Sequence, residues 1–245
     1  MSLMQFNRAL HPDDYALLKP YVERLKNHER QMAAKGLPYR KDHEHREWEY
    51  ASVLQQLDAL DITPPAKILD TGSGANYFAP LLKMDGYDLA VNDSMAYGDI
   101  TDWLRRQCFG LGITIPLIVS PVEKLGLEDG QWDVAMCISV IEHLAVEQFE
   151  AGIRELARVT KPGGFVFITS DFFRDEPHAL KSPSLGIQHN RFYEANAVQK
   201  ILDVGAGLRP VGGIDAPEGH PHGLRYRGDF VNGHSFCNFV FEKTA

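Results

Sequence analysis

The chain has 245 residues, with 25 Lys and Arg against 33 Asp and Glu and a formal net charge of −8. Phosphate binding draws on clustered Lys and Arg, so no extended nucleic-acid surface is expected. Hydrophobic residues at 44% and charged residues at 24% exclude a disordered or fibrous chain, and the length suits one α/β domain with an elaboration. Cys108, Cys137 and Cys237 are odd in number and lie among apolar neighbours, which argues against a disulfide framework or a zinc site. No apolar run approaches the roughly 18 residues that span a bilayer, and Met1 to Leu10 lack the plan of a signal peptide. A cytoplasmic protein with a small-molecule partner and no membrane is expected.

Residues 12–60 read as helical. Pro12-Asp13-Asp14 suits a first turn, and apolar residues recur at Tyr15, Leu18, Val22 and Leu25. Gly36-Leu37-Pro38 breaks the pattern, and a second helix from about Asp42 to Leu60 ends before Thr63-Pro64-Pro65. These helices make residues 1–62 an N-terminal helical lid ahead of a domain at 63–245. From Ala66 short apolar runs alternate with helical stretches, the pattern of βαβ units around a mostly parallel sheet. Strands are predicted near 66–70, 87–92, 114–119, 132–138, 163–169, 209–214 and 236–242, and helices near 76–85, 99–109, 146–160 and 194–204. Two long connections, 171–193 and 215–235, stand where substrate residues often sit.

The run Lys67-Ile68-Leu69-Asp70 is a short strand entering Thr71-Gly72-Ser73-Gly74-Ala75-Asn76 and then a helix. Glycines here permit positive φ and close approach of a ligand to amides at a helix start. Asn76 takes the place of a third glycine, and Asn tolerates the left-handed conformation. Asp93 ends the next strand 19 residues after Gly74, where an acid can accept from both ribose hydroxyls.

The stretch ILDTGSGANYFAPLLKMDGYDLAVNDS resembles the first two cofactor motifs of class I S-adenosylmethionine (SAM)-dependent methyltransferases. Gly130 to Leu144 resembles that family's fourth strand and following turn, and Glu155 to Thr169, through Lys161-Pro162-Gly163-Gly164, its next helix, turn and strand. The resemblance covers residues 66–170 well and 191–243 loosely; residues ahead of the glycine strand are loosely similar to small-molecule and polysaccharide-cluster methyltransferases. It implies a Rossmann-like, seven-stranded, mostly parallel sheet with helices on both faces and an antiparallel last strand. It also implies SAM as cofactor, S-adenosylhomocysteine as product, and cofactor contacts at Asp70, Thr71, Gly72, Ser73, Gly74, Asp93, Ser94, Val122, Glu123 and Ile138. Ser120-Pro121-Val122-Glu123 departs from the family, because Pro121 stands where an acid would receive the adenine amino group.

Methyl transfer from a sulfonium needs alignment and exclusion of water, and a base when the acceptor is a hydroxyl. His143, just past the fourth strand, is the candidate base, and Asp171 a second residue facing the acceptor; both also suit capping. Glu142-His143 resembles part of an acid-x-x-Glu-His metal motif of ubiquinone-pathway O-methyltransferases and small-RNA 3′-end methyltransferases. Ser139 replaces its first acid, so no metal is expected. Other histidines cluster at 43 and 45, 178 and 189, and 220 and 222, the last pair reading as an exposed loop. Arg46 could pair the methionine carboxylate, with Trp48 or Tyr50 as an apolar wall, though aromatics at helical spacing favour simple core packing here. The expected activity is O-methylation of a small sugar or metabolite. Two alternatives stay open: an NAD-dependent oxidoreductase on the same glycine turn, and a SAM-binding scaffold without catalysis.

Overall fold

The computed structural model describes residues 7–10, 14–38, 44–96, 98–173, 192–193, 197–212 and 234–245. Pro12, Asp13, His43, His178, His189, Arg191, His220, His222, the side chain of His45 and most of both long connections lie outside the described residues.

Helix α1, Asp14–Ala34, turns Leu18, Val22, Leu25, His28 and Met32 inward, one stripe at helical spacing. Gly36, at φ +63°, ends it, and the Leu37 amide returns to the Met32 carbonyl at 3.0 Å. Helix α2, Glu44–Ala59, is buried continuously from Glu49 to Leu57. Polar Ser52, Gln55 and Gln56 are therefore interior, which explains why α2 lacks a clean apolar stripe. Stacked rings of Tyr15 and Trp48, 4.2 Å between centroids, join the two helices.

Nine strands are present among the described residues: β1 Arg8–Ala9, β2 Lys67–Thr71, β3 Asp88–Asp93, β4 Leu117–Val119, β5 Trp132–Ile138, β6 Thr160–Phe173, β7 Phe192–Tyr193, β8 Leu208–Pro210 and β9 His234–Lys243. Their order is β1-β9-β6-β5-β2-β3-β4, with β7 on β6 and β8 on β9. Strands β2 to β6 pair in parallel, and β9 runs antiparallel to β6 from Phe165↔Glu242 to Phe173↔His234. The expected seven strands are all here, with an antiparallel last one. β1 and β7 are additions of two residues each, too short to show a period. Asn7 secures β1: its Nδ2 donates to the Val211 carbonyl and its Oδ1 accepts the Val240 amide, both at 2.9 Å.

Alternation along the strands builds two cores. Ile68, Leu89, Val91, Val134, Met136, Phe167 and Val240 face one side, where α1, α2 and α3, Phe78–Met84, supply Leu25, Leu54 and Phe78. Leu69, Ala90, Ala135, Cys137, Ile168 and Phe239 face the other, against α5, Val146–Val159, and α6, Ala197–Leu202. Helix α4, Thr101–Leu111, joins the first core through Leu104.

His28 is 3% exposed, 6.2 Å from the Tyr77 ring, and its Nε2 has no hydrogen-bond partner. Burial holds the imidazole below its ordinary 6.5, against smaller opposing effects of the Tyr77 backbone and Asp85. Folding thus penalises the protonated form, so this contribution is intact above pH 6.5 and is lost as pH falls. Between pH 7 and pH 5 the wild-type Tm is expected to drop more than that of His28→Leu. Parallel melting curves for the two proteins would refute this.

Candidate active site

β2 and β5 are neighbours, yet the chain leaves β2 toward β3 on the other side, so the sheet's switch point lies at their carboxyl ends, where open α/β sheets bind ligands. A cavity of about 130 Å³ opens there. Asp70, Gly72, Ser73 and Gly74 line it from the glycine turn, Arg46 and Tyr50 from α2, and Ile138 and Ser139 from the end of β5. A larger cleft, about 500 Å³, lies at the amino ends of these central strands, around Asp133, Lys161 and Gly163. Lys161 Nζ and Asp133 Oδ1 pair there at 2.8 Å, an arrangement that ties β5 to β6.

Gly72 and Gly74 take φ of +64° and +62°. A Cβ on Gly72 would lie 2.5 Å from Val140 Cγ2, whereas one on Gly74 would meet nothing within 4 Å. Gly72 therefore permits packing against the β5 turn, and Gly74 leaves an open face for a ligand. Gly72→Ala is expected to lose about 2–4 kcal/mol of stability from left-handed strain and overpacking. Adding Val140→Ala should restore part of that loss in urea unfolding; no recovery would mean that the contact with Val140 is not the cause.

Asn76 departs from the left-handed role expected of it, since its φ is not positive. Its Oδ1 accepts the Phe78 and Ala79 amides at 2.8 and 3.2 Å, while its Nδ2 donates to the Ser73 carbonyl and to Ser73 Oγ. It caps α3 and closes the turn upon itself.

Asp70 is 2% exposed, with one carboxyl oxygen, Oδ2, lacking any hydrogen-bond partner. Burial pushes its acid dissociation up to about 7, with Asp93 adding to the effect and Ser73, Asn76 and Arg46 opposing it. Arg46 stands on the same cavity, with Nη1 donating to the Ile138 carbonyl at 3.3 Å. One small cavity thus joins an unsatisfied carboxyl, a guanidinium and the open face of Gly74. That donor set fits the ammonium and carboxylate of an amino-acid group.

The other expected residues divide. Thr71 turns away from the cavity: its Oγ1 donates to the Met136 carbonyl at 2.9 Å. Asp93 braces the turn, its Oδ2 accepting the Gly74 amide at 2.9 Å and its Oδ1 the Met95 amide at 2.6 Å. Each oxygen keeps a second lone pair for a further donor. Ser94 is exposed, and its Oγ accepts the Ala96 amide at 3.3 Å. Val122 points into the second core and is not among the residues lining the cavity, and Glu123 accepts from Gln148 Nε2 at 2.7 Å. Ile138 lines the cavity. His143 is half-buried at the end of a 3₁₀ turn, Ile141–His143, that follows β5. Asp171 lies within β6, opposite Phe236, because β6 runs four residues beyond its expected end. Tyr50 forms part of the cavity wall and stacks on Phe78 at 4.4 Å; Trp48 serves the contact between helices.

Three features escaped the sequence. Glu49, 1% exposed, accepts from Ser139 Oγ and Thr169 Oγ1. Ser139 has φ +49°, rare for a non-glycine residue. Glu142 is buried with both carboxyl oxygens lacking hydrogen-bond partners, and burial, then Asp171, hold it well above the usual carboxylate range. α2 carries Glu44, Glu47, Glu49 and Asp58, so nothing in residue type singles out Glu49 among them, and nothing marks Ser139. Among the described residues no three His, Cys, Asp or Glu are placed to hold a metal, and no helix is long and apolar enough to cross a membrane.

A Rossmann-like sheet with a glycine turn at its switch point defines an α/β protein of nucleotide-binding type. Residues 69–168 match the family model described as "Methyltransferase domain", the kind of domain that the motifs resembled. The chain is 31% identical over 105 residues to the ubiquinone biosynthesis O-methyltransferase of Rickettsia prowazekii (strain Madrid E), covering 42% of this chain and 39% of that protein. It is 31% identical over 107 residues to the demethylmenaquinone methyltransferase of Mycolicibacterium gilvum (strain PYR-GCK), covering 44% and 42%. The chain thus spans about two fifths of the length of the curated relatives it matches. A Burkholderia thailandensis 1,6-didemethyltoxoflavin-N1-methyltransferase, solved with 1,6-didemethyltoxoflavin and S-adenosylhomocysteine, shares the fold. Its TM-score is 0.59 at 15% identity, covering 96% of this chain and 92% of that one. The cyclase SpnF also shares it, with TM-score 0.61 at 15% identity and 98% and 100% coverage, so the fold by itself leaves the chemistry open.

Proposed function

We propose that the protein is a SAM-dependent methyltransferase that methylates a hydroxyl of a small organic molecule. The observation carrying this reading is the pairing of Asp70 and Arg46 across one cavity at the glycine turn. Asp70 would hold the methionine ammonium, Arg46 the carboxylate, Asp93 the ribose, and the backbone after β4 the adenine. α2, packed in the first core rather than standing apart as a lid, would close the cavity through Arg46 and Tyr50. The names of the two curated relatives, ubiquinone biosynthesis O-methyltransferase and demethylmenaquinone methyltransferase, support a small acceptor.

When bound, SAM supplies a methyl group on a sulfonium, open to in-line displacement. Arg46 and Asp70 orient its amino-acid end, and Tyr50 and Ile138 keep water from that end of the cavity. His143, past the end of β5, would take the acceptor's hydroxyl proton on its imidazole. A pyrophosphate beside Asp70 would set anion against a buried carboxyl, which speaks against an NAD-dependent oxidoreductase.

Calorimetric titration tests this reading. S-adenosylhomocysteine is expected to bind and NAD to give no heat; NAD binding without S-adenosylhomocysteine binding would overturn it. Binding of S-adenosylhomocysteine with no methyl transfer to quinol, sugar or phenol acceptors would instead support the scaffold.

A further inference from the structure

Resting on the reading of the cavity as the seat of the amino-acid end of SAM, we infer that Glu49 is a positioning residue. It clamps α2 onto the ends of β5 and β6 and thereby holds Arg46 at the carboxylate side of that seat.

The clamp is built from hydrogen bonds. Glu49 Oε1 accepts from Ser139 Oγ and, at 2.6 Å, from Thr169 Oγ1. Thr169 Oγ1 in turn accepts the Ser139 amide at 3.2 Å. Glu49 Oε2 faces Arg46 Nη1 at 3.4 Å, and that nitrogen also donates to the Ile138 carbonyl at 3.3 Å. Ile138 and Thr169 are register partners across β5 and β6, so one carboxyl grips both strands where their pairing ends.

A buried carboxyl is costly unless its oxygens are satisfied. Glu49, with two hydroxyls and a guanidinium upon it, meets that condition, and its removal takes their shared acceptor from the two hydroxyls and one of its acceptors from Arg46. The same bond anchors Ser139 in its left-handed conformation, which persists where the surroundings over-determine it. Two acceptors at Arg46 Nη1 fix the plane of the guanidinium on the cavity it lines. Glu49 itself is absent from the residues lining the cavity; it acts through Arg46.

The test compares S-adenosylhomocysteine with 5′-methylthioadenosine, which lacks the amino-acid end, by calorimetry on the full chain. Glu49→Ala is expected to weaken S-adenosylhomocysteine about tenfold, the range of a charged hydrogen bond, and to leave methylthioadenosine within about twofold. Glu49→Gln, which keeps an acceptor for the two hydroxyls, should lose less. Arg46→Ala with Glu49→Ala should bind no more weakly than Arg46→Ala alone, since coupled residues are not additive. Equal loss for both ligands, or additive losses in the double variant, would overturn the inference and leave the cofactor reading standing. A wild-type protein that binds neither ligand would overturn both. Should Glu49→Ala fail to fold, Thr169→Val removes one donor of the clamp away from the cavity and should show the same ligand-selective loss, smaller in size; equal weakening of both ligands in that variant counts against the clamp.

Discussion

Replacing His143 by alanine is expected to lower kcat at least about a hundredfold, the lower end of what a positioned acid–base group contributes, while S-adenosylhomocysteine affinity stays within about twofold. The expectation rests on place: the imidazole follows the carboxyl end of β5 on a 3₁₀ turn, four residues along the chain from Ser139, which lines the cavity, while His143 itself is not among the lining residues. A group that only packs would change stability and cofactor affinity together, whereas a base changes turnover alone. Initial-rate kinetics with saturating SAM, alongside calorimetry, separate the two. Unchanged kcat would remove His143 from the reaction. Glu142, buried directly before it, needs the same control, because its unsatisfied carboxyl makes this turn sensitive to any substitution.

The second large effect concerns Asp70. Its carboxyl moves from an ordinary 3.8 to about 7 in the folded chain, chiefly through burial. A carboxyl raised on folding favours the folded state when protonated. Its contribution is therefore full below pH 4 and is lost as pH climbs toward 7. That span corresponds to roughly 4 kcal/mol, at about 1.4 kcal/mol per pH unit. Asp70→Asn cannot ionise, so the ligand-free variant is expected to gain Tm over wild type as pH rises from 4 to 8. A bound ammonium reverses the sign, since it favours the ionised carboxyl. S-adenosylhomocysteine should thus bind wild type more tightly at pH 8 than at pH 6, with proton release, and bind Asp70→Asn about tenfold or more weakly at pH 8. Titrations in two buffers of different ionisation enthalpy measure the released proton. A pH-independent affinity in wild type would place the ammonium away from Asp70.

The strands and the glycine turn were legible along the chain because both are local. Short continuous apolar runs, buried on both faces, specify β2, β3 and β5 to within a residue or two, and Gly72 and Gly74 mark positive φ by lacking a Cβ. Asn76 was legible as a turn residue but not in its role, because whether Asn bends the backbone or caps a helix depends on where the next amides point. Val122 and Thr71 illustrate the same limit. Their place beside the motif is sequential, but the fold turns one into the core and the other onto Met136.

By itself, then, the sequence determined the class of fold, the switch-point turn and the acids Asp70 and Asp93, all set by spacing within about thirty residues. The tertiary structure alone decided that α2 is an interior helix, that Arg46 meets Asp70 across one cavity, and that Glu49 joins Ser139 and Thr169. Those contacts cross 90 and 120 residues of chain, and no local propensity encodes a hydrogen bond between segments that first meet when the sheet closes.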